Sequence, residues 1–133
     1  MAQVTIKILT TQQVDGQRQQ MKTVTHGNLI ATDETYVLDY TLTDDEGTTS
    51  HTTLTVYKTC PKAVMVNSGT MVIEQGKEHI APYRMGPYEM ELGVIGKAVL
   101  CRLTPTGGNV KLQYTLTING VLASDNTVEL FAQ

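Results

Sequence analysis

The segment Val110-Lys-Leu-Gln-Tyr-Thr-Leu-Thr-Ile118, followed by Asn119-Gly120 and Val121-Leu122, decides the fold of this chain. Apolar and polar residues alternate without a break from Val110 to Ile118. Alternation with a period of two is typical of a strand with one buried and one solvated face. Asn-Gly supplies the two residues that most easily take positive φ in a tight hairpin. The segment therefore predicts an antiparallel hairpin whose inward side chains are Leu112, Tyr114 and Leu116.

The composition favours a single all-β domain over residues 1–133. The chain has the length of one domain, and 41% of its residues are hydrophobic, which is enough for a core. Charged residues make up 17%, below the roughly 25% usual for soluble domains, whereas threonine occurs 21 times. Threonine is β-branched, so it suits a pleated sheet better than a helix.

Charge and hydropathy exclude several classes of partner. The net charge is −3 and the pI is near 5.5, whereas nucleic-acid-binding proteins usually carry a basic stripe. No apolar run approaches the ~18 residues of a membrane span, and the first residues do not resemble a secretion signal. Cys60 and Cys101 are interpreted as free thiols of a reducing compartment. We expect a cytoplasmic protein without nucleic-acid or membrane partners.

Short strand patterns and turn signals such as Asp15-Gly16 and Asp44-Asp-Glu-Gly47 alternate along the whole chain. Nine or ten strands follow one another at the spacing expected of a sandwich or barrel. The segment most open to a helix is 26–34, and its glycine and β-branched residues disfavour one. Residues 17–32 fit either one bent strand or two. Because closure hides sheet edges, we predict a single antiparallel barrel of about 8–10 strands with little or no helix.

Two segments carry a family resemblance. The first runs from Asn67 to Leu92 and contains a Ser-Gly turn, a Tyr-basic-Met step and a Glu-apolar-Glu-Leu strand; the second is the closing hairpin. Together they resemble the YwiB-like family of uncharacterised bacterial proteins. The resemblance implies a calycin-like barrel similar to lipocalins, and it brings no catalytic residues. The Gly-x-Trp signature of lipocalins is absent because the chain has no tryptophan.

The histidines do not predict a metal site. His26, His51 and His79 lie 25 and 28 residues apart, so no pair has the short spacing that metal ligands on one element show. Barrel closure could still bring them together. Surface or hydrogen-bonded histidines are the simpler interpretation, and we expect neither a metal nor another cofactor.

The sequence contains no recognisable catalytic constellation. Ser50, Ser68 and Ser124 lie in polar, turn-like surroundings rather than in a Gly-x-Ser-x-Gly elbow. Glu89 and Glu91 share one strand face, where paired carboxylates could act as acid and base. That face should be the solvated one, because the apolar residues Tyr88, Met90 and Leu92 occupy the opposite face. We therefore predict that the protein is not an enzyme.

The segment 79–88 is the strongest candidate for a binding site. It holds Tyr83, Arg84 and Tyr88 in a turn stiffened by two prolines and a glycine. Tyrosines offer stacking and hydroxyl hydrogen bonds, and the guanidinium matches a carboxylate or phosphate. The alternative is that the tyrosines are half-buried strand residues and Arg84 extends into water. Tyr114 joins these candidates, because an inward tyrosine must find a hydrogen-bond partner.

Two functional hypotheses follow from the barrel. The first is non-catalytic binding of a small, partly apolar ligand inside it, because barrels of this size can enclose one ligand. The alternative is a protein–protein interaction module, or a homodimer, whose barrel is filled by its own side chains. The six methionines fit either hypothesis, since methionine fills irregular gaps and also lines adaptable surfaces. An open or a filled interior discriminates between the two.

Overall fold

A computed structural model describes residues 1–67 and 69–133, and the regular structure in this part of the chain is entirely β. The strands are β1 (Ala2–Val14), β2 (Gln17–Ala31), β3 (Thr35–Thr43), β4 (Thr49–Tyr57), β5 (Lys62–Val66), β6 (Thr70–Glu74), β7 (Glu78–Met85), β8 (Tyr88–Thr104), β9 (Gly107–Ile118) and β10 (Val121–Ala132). The predicted all-β class, the strand number and the lack of helix are confirmed.

The strands form one antiparallel sheet that curls into a nearly closed barrel. Their order is β6-β5-β4-β3-β2-β1-β10-β9-β8-β7, so the first and last strands of the chain meet inside the sheet. The closing hairpin β9–β10 lies where the alternation predicted it. Its turn residues Asn119 and Gly120 both have positive φ, 51° and 79°. The sheet has two edges, β6 and β7.

The barrel interior holds the apolar residues of the alternating strands. In the closing hairpin Leu112 is fully buried, Tyr114 is 7% exposed and Leu116 packs against the core, as predicted. Each fully buried side chain of this size contributes roughly 1.5–3 kcal/mol through the hydrophobic effect. The largest fully buried side chains are Ile6, Leu29, Leu38, Leu54, Val56, Ile73, Val110, Leu112 and Leu130.

The segment that left two interpretations open is one strand, because β2 runs from Gln17 to Ala31 without a break. Gly27 lies where this strand begins to pair with β3. A Cβ atom there would stand 2.3 Å from the backbone oxygen of Asp39, so only glycine allows this close approach. Beyond Ala31 the chain turns, and the Thr32 hydroxyl accepts a hydrogen bond from the Thr35 backbone N–H at 2.9 Å.

The two ends of the barrel differ. One end, here called the mouth, carries the turns at 15–16, 44–48, 86–87 and 119–120 and the connection from β5 to β6. The opposite end, the base, carries the other turns. Inward side chains are buried toward the base and increasingly exposed toward the mouth. Along β9, Val110 is fully buried, whereas Ile118 is 38% exposed. The interior is therefore packed at the base and open at the mouth.

The edges β6 and β7 follow one another in the chain but do not pair with each other. They are joined by a tight turn in which the Lys77 N–H donates to the Glu74 carbonyl at 3.1 Å. If β6 and β7 paired as a hairpin from this turn, Ile73 would lie opposite Glu78. Ile73 points inward and Glu78 outward, and cross-strand partners must share a face. The ladder cannot propagate, so a seam remains between β6 and β7.

At the base, β6 closes the barrel against β8 instead. Gly76 N donates to the Gly96 carbonyl at 2.9 Å, and Gly96 N donates to the Lys77 carbonyl at 3.0 Å. Gly96 makes this approach possible, because a Cβ atom there would lie 2.1 Å from the Glu74 carbonyl oxygen. A β-bulge follows directly after Gly96 and returns β8 to its inward phase.

We predict that Gly96→Ala destabilises the protein by about 1–3 kcal/mol, the usual cost of overpacking, because the methyl group collides with the β6 backbone. The measurement is urea unfolding at neutral pH. Gly69→Ala is the matched control, since a Cβ at Gly69 meets nothing within 4 Å. Equal stability of the two variants would show that β6 does not lie against Gly96.

Candidate functional site

A cavity of about 260 Å³ opens in the seam between β6 and β7, in the mouth half of the barrel. Met65 and Met71, which pair across β5 and β6, form one wall. Ala81 and Leu92, which pair across β7 and β8, form the other wall, and Tyr83 lies at its outer end. These side chains are at inward positions of their strands, so the cavity is part of the barrel interior.

The described residues that line the cavity carry no charge. Its main polar groups are the side chains of Asn67, Thr70 and Tyr83. The Asn67 carboxamide oxygen accepts a hydrogen bond from the Gly69 N–H at 3.3 Å, and its NH₂ group carries two donors. Methionine walls are soft and polarisable, so they adapt to ligands of different shape. The chemistry suits a largely apolar ligand with one or two hydrogen-bonding groups.

Backbone groups of the two sheet edges also face the seam. Glu91 of β8 uses its N–H and its carbonyl to bind Asn119, at 2.9 and 2.8 Å. Pro82, the β7 partner of Glu91, therefore turns its own backbone toward the seam. Proline has no N–H, so the β7 edge lacks one donor at its centre. Such an interruption discourages edge-to-edge pairing of whole sheets.

The four residues predicted as ligand-binding lie in different places. Tyr83 is 45% exposed and lines the cavity. Tyr114 lies inside the barrel on β9, closer to the base than the cavity residues of β8. Arg84 lies on the outer face opposite Glu89 and does not line the cavity, and Tyr88 is 70% exposed at the β7–β8 turn. The structure thus brings only Tyr83 to the cavity.

Sequence reasoning missed the methionine and leucine walls. Met65, Met71 and Leu92 were not distinguished from ordinary core residues, because an inward apolar residue in a strand pattern predicts burial and nothing more. The signal that could have found them is their position. Each lies within a few residues of a mouth turn, where the barrel interior is most accessible to solvent.

Two buried tyrosines form part of the interior toward the mouth. Burial raises the pKa of Tyr40 to about 12, and the neighbouring Tyr114 adds to the effect. Burial also raises the pKa of Tyr114. Both hydroxyls are therefore uncharged hydrogen-bonding groups at neutral pH. Ser124 and Asn126 on β10 are buried in the same region, and the Asn126 NH₂ donates to the Ser124 hydroxyl at 2.9 Å.

The three histidines lie apart, and each has its own partner. His26 contacts the Thr5 hydroxyl at 3.4 Å, and His51 pairs with Asp39. His79 contacts Glu74 at 2.9 Å across the base of the seam. The hydrogen bond from His79, followed by that from Lys77, lowers the pKa of the Glu74 carboxyl. Within residues 1–67 and 69–133, no three His, Cys, Asp or Glu side chains form a metal-ligand group.

The other residues considered for catalysis do not converge either. Glu89 and Glu91 are exposed, as their strand face predicted. Ser124 is buried and bonded to Asn126, and Ser68 lies outside the described residues. Cys60 and Cys101 are free thiols that border one shallow groove near the base.

Comparison with known proteins places the chain in a family. Residues 6–130 match the family described as "Domain of unknown function (DUF1934)". The chain belongs to this family. The crystal structure of the ywiB protein from Bacillus subtilis is similar to it, with a TM-score of 0.82. That likeness covers 98% of this chain and 90% of the other chain at 19% identity, so it concerns the fold alone.

The predicted YwiB-like family membership of this DUF1934 chain is thereby confirmed. No curated protein matches the chain. Across the residues that the structure describes, no helix is long and apolar enough to cross a membrane.

The pKa of Tyr40 predicts a loss of stability in alkali. Tyrosine in the unfolded chain ionises near pH 10, whereas folded Tyr40 ionises near pH 12. Between these values the unfolded state releases its proton first, so the free energy of unfolding falls as the pH rises, by about 2–3 kcal/mol in total.

Urea unfolding between pH 8 and about pH 12 measures this loss. Tyr40→Phe should reduce it, and Tyr88→Phe, at an exposed position, should keep the wild-type profile. The same alkaline loss in wild type and Tyr40→Phe would contradict the burial of the Tyr40 hydroxyl.

Proposed function

We propose that this protein is a non-catalytic binding protein that holds a small, uncharged, partly apolar ligand in the seam cavity. The observation that carries the proposal is the cavity itself. It is an apolar recess of about 260 Å³ at the seam where the edge strands β6 and β7 do not pair. We propose further that the barrel is calycin-like and that the protein acts in the bacterial cytoplasm.

The volume limits the size of the ligand. An apolar protein cavity of about 150 Å³ can hold benzene, whereas drug-sized ligands occupy pockets of about 300–1,000 Å³. At about 260 Å³ the seam cavity lies between these values. A ligand of one or two small rings, or a short branched chain, fits this space. Longer molecules would extend through the mouth into solvent.

The lining limits the charge of the ligand. An ionised group that leaves water needs a counter-charge or several hydrogen bonds, and the lining residues provide no charge. Tyr83 and Asn67 can instead hydrogen-bond a carbonyl, hydroxyl or amide group. Arg84, which was predicted to bind an anionic end, lies on the outer face and is no part of this proposal. We therefore expect the ligand to be neutral.

The non-catalytic part of the proposal rests on the same lining. Among the described lining residues, Tyr83 has the one ionisable side chain, and no nucleophile lies beside a base. The alternative of a filled barrel that acts as a protein–protein interaction module or a homodimer has less support. The packed base half would suit it, but the mouth half is open.

The experiment is a titration with Prodan, an uncharged dye with two fused rings and a ketone group, whose fluorescence rises in apolar surroundings. We expect saturable binding to the wild type. Leu92→Gln and Met71→Gln place a polar group on opposite walls and should each weaken binding by about tenfold, the equivalent of about 1.4 kcal/mol. Leu100→Gln is the control, because Leu100 is 52% exposed on the outer face.

Two outcomes would contradict the proposal. The first is Prodan binding that is equal in the wild type and in both cavity variants. The second is the absence of any adduct when protein purified from its own host is examined by native mass spectrometry, together with no dye binding. A retained small-molecule adduct that the Leu92→Gln variant lacks would support it.

A further inference from the structure

Several exposed apolar side chains lie on two adjacent turns at the mouth of the barrel. On the β9–β10 turn, Val121 is 69% and Leu122 is 64% exposed, and Ile118 beside them is 38% exposed. On the neighbouring β7–β8 turn, Tyr88 is 70% exposed. Single exposed apolar residues are ordinary, but a group on adjacent turns marks an interaction site. We call these four residues the apolar patch.

The apolar patch is held in place by hydrogen bonds. Asn119, at the tip of the β9–β10 turn, accepts a hydrogen bond from Glu91 N–H through its side chain and donates its own N–H to the Glu91 carbonyl. Glu91 belongs to β8, just after the β7–β8 turn. The two turns are therefore fixed to each other, and binding to them costs little ordering entropy.

The same end of the barrel also carries a cluster of negative charge. Asp44, Asp45 and Glu46 are exposed in the β3–β4 turn, and Asp15 is exposed in the β1–β2 turn. The Asp44 carboxylate accepts hydrogen bonds from the N–H groups of Glu46 and Thr48, both at 2.9 Å, so this turn is also ordered. We call these four carboxylates the acidic cluster.

Strand order separates the two features around the rim. The turns follow each other as β3–β4, β1–β2, β9–β10, β7–β8 and β5–β6. The acidic cluster occupies two neighbouring turns and the apolar patch occupies the next two. The mouth is thus apolar on one side and negative on the other, while the seam cavity opens on the apolar side.

We propose that the mouth is a docking surface for a segment of a partner polypeptide that has apolar residues on one side and lysine or arginine on the other. The apolar patch provides the buried contacts, and the acidic cluster orients the basic side chains. This interaction goes beyond the ligand-binding function and does not depend on it.

Charge decides against the other occupants of this surface. The five mouth turns contain four acidic residues and no lysine or arginine. A nucleic acid or an anionic membrane would be repelled. A second copy of this chain, with a net charge of −3, would bring the same acidic turns to the interface. A basic amphipathic segment alone satisfies both halves of the rim.

The test uses two fluorescent amphipathic peptides, one built from leucine and lysine and one in which glutamate replaces every lysine. Fluorescence anisotropy should show binding of the lysine peptide only. Leu122→Ser should weaken that binding by about tenfold or more, and the double variant Asp45→Asn, Glu46→Gln should weaken it and reduce its salt dependence. Leu100→Ser, an exposed apolar residue away from the mouth, should bind as the wild type does.

Several outcomes would overturn the proposal. Binding that survives Leu122→Ser would be general charge attraction, and equal binding of both peptides would remove the role of the acidic cluster. A dimer in sedimentation equilibrium that Leu122→Ser abolishes would make a second copy the occupant. Leu122→Ser should leave Prodan binding intact, so failure here is distinguishable from failure of the seam cavity as a ligand site.

Discussion

Side-chain parity at one turn determines where this barrel opens. A two-residue turn joins β6 to β7, but the inward residue Ile73 would face the outward residue Glu78 across it. Successive side chains of a strand point to opposite faces of the sheet. Rotating either strand to repair the mismatch would therefore move its apolar residues out of the core. Every other neighbouring pair of strands forms an antiparallel ladder. The seam, the cavity and the free backbone edges all follow from this constraint.

Closure of the barrel at its base provides the stability that the open mouth lacks. Gly96 lets the β6 backbone approach β8. The hydrogen bonds of Gly76 and Lys77 with Gly96 pair backbone N–H and carbonyl groups that would lack a protein partner at an open edge. The fully buried residues cluster in this half and provide most of the hydrophobic stabilisation. The mouth half can then keep soft, half-buried methionines and leucines around an open space.

The fold was predictable because its signals are local. Alternation from Val110 to Ile118 and the Asn119-Gly120 turn fixed an antiparallel hairpin, and the same pattern elsewhere led to the strand count. The site was less predictable. Tyr83, one of the predicted binding residues, lines the cavity, whereas Arg84 alternates to the outer face. The cavity walls at Met65 and Met71 depend on which strands become edges. Edge identity is a property of the whole sheet, so no local pattern shows it.

The open seam is the central claim, and hydrogen–deuterium exchange followed by NMR tests it most directly. The parity of the ladders turns the backbone N–H groups of Val72 and Ile80 toward the seam, whereas Leu54 and Leu112 lie in strands that are paired on both sides. Fully paired core amides exchange only through large-scale opening of the protein. The account predicts that the amides of Val72 and Ile80 exchange orders of magnitude faster than those of Leu54 and Leu112. Equally slow exchange at all four would mean that β6 and β7 pair and that the barrel is closed.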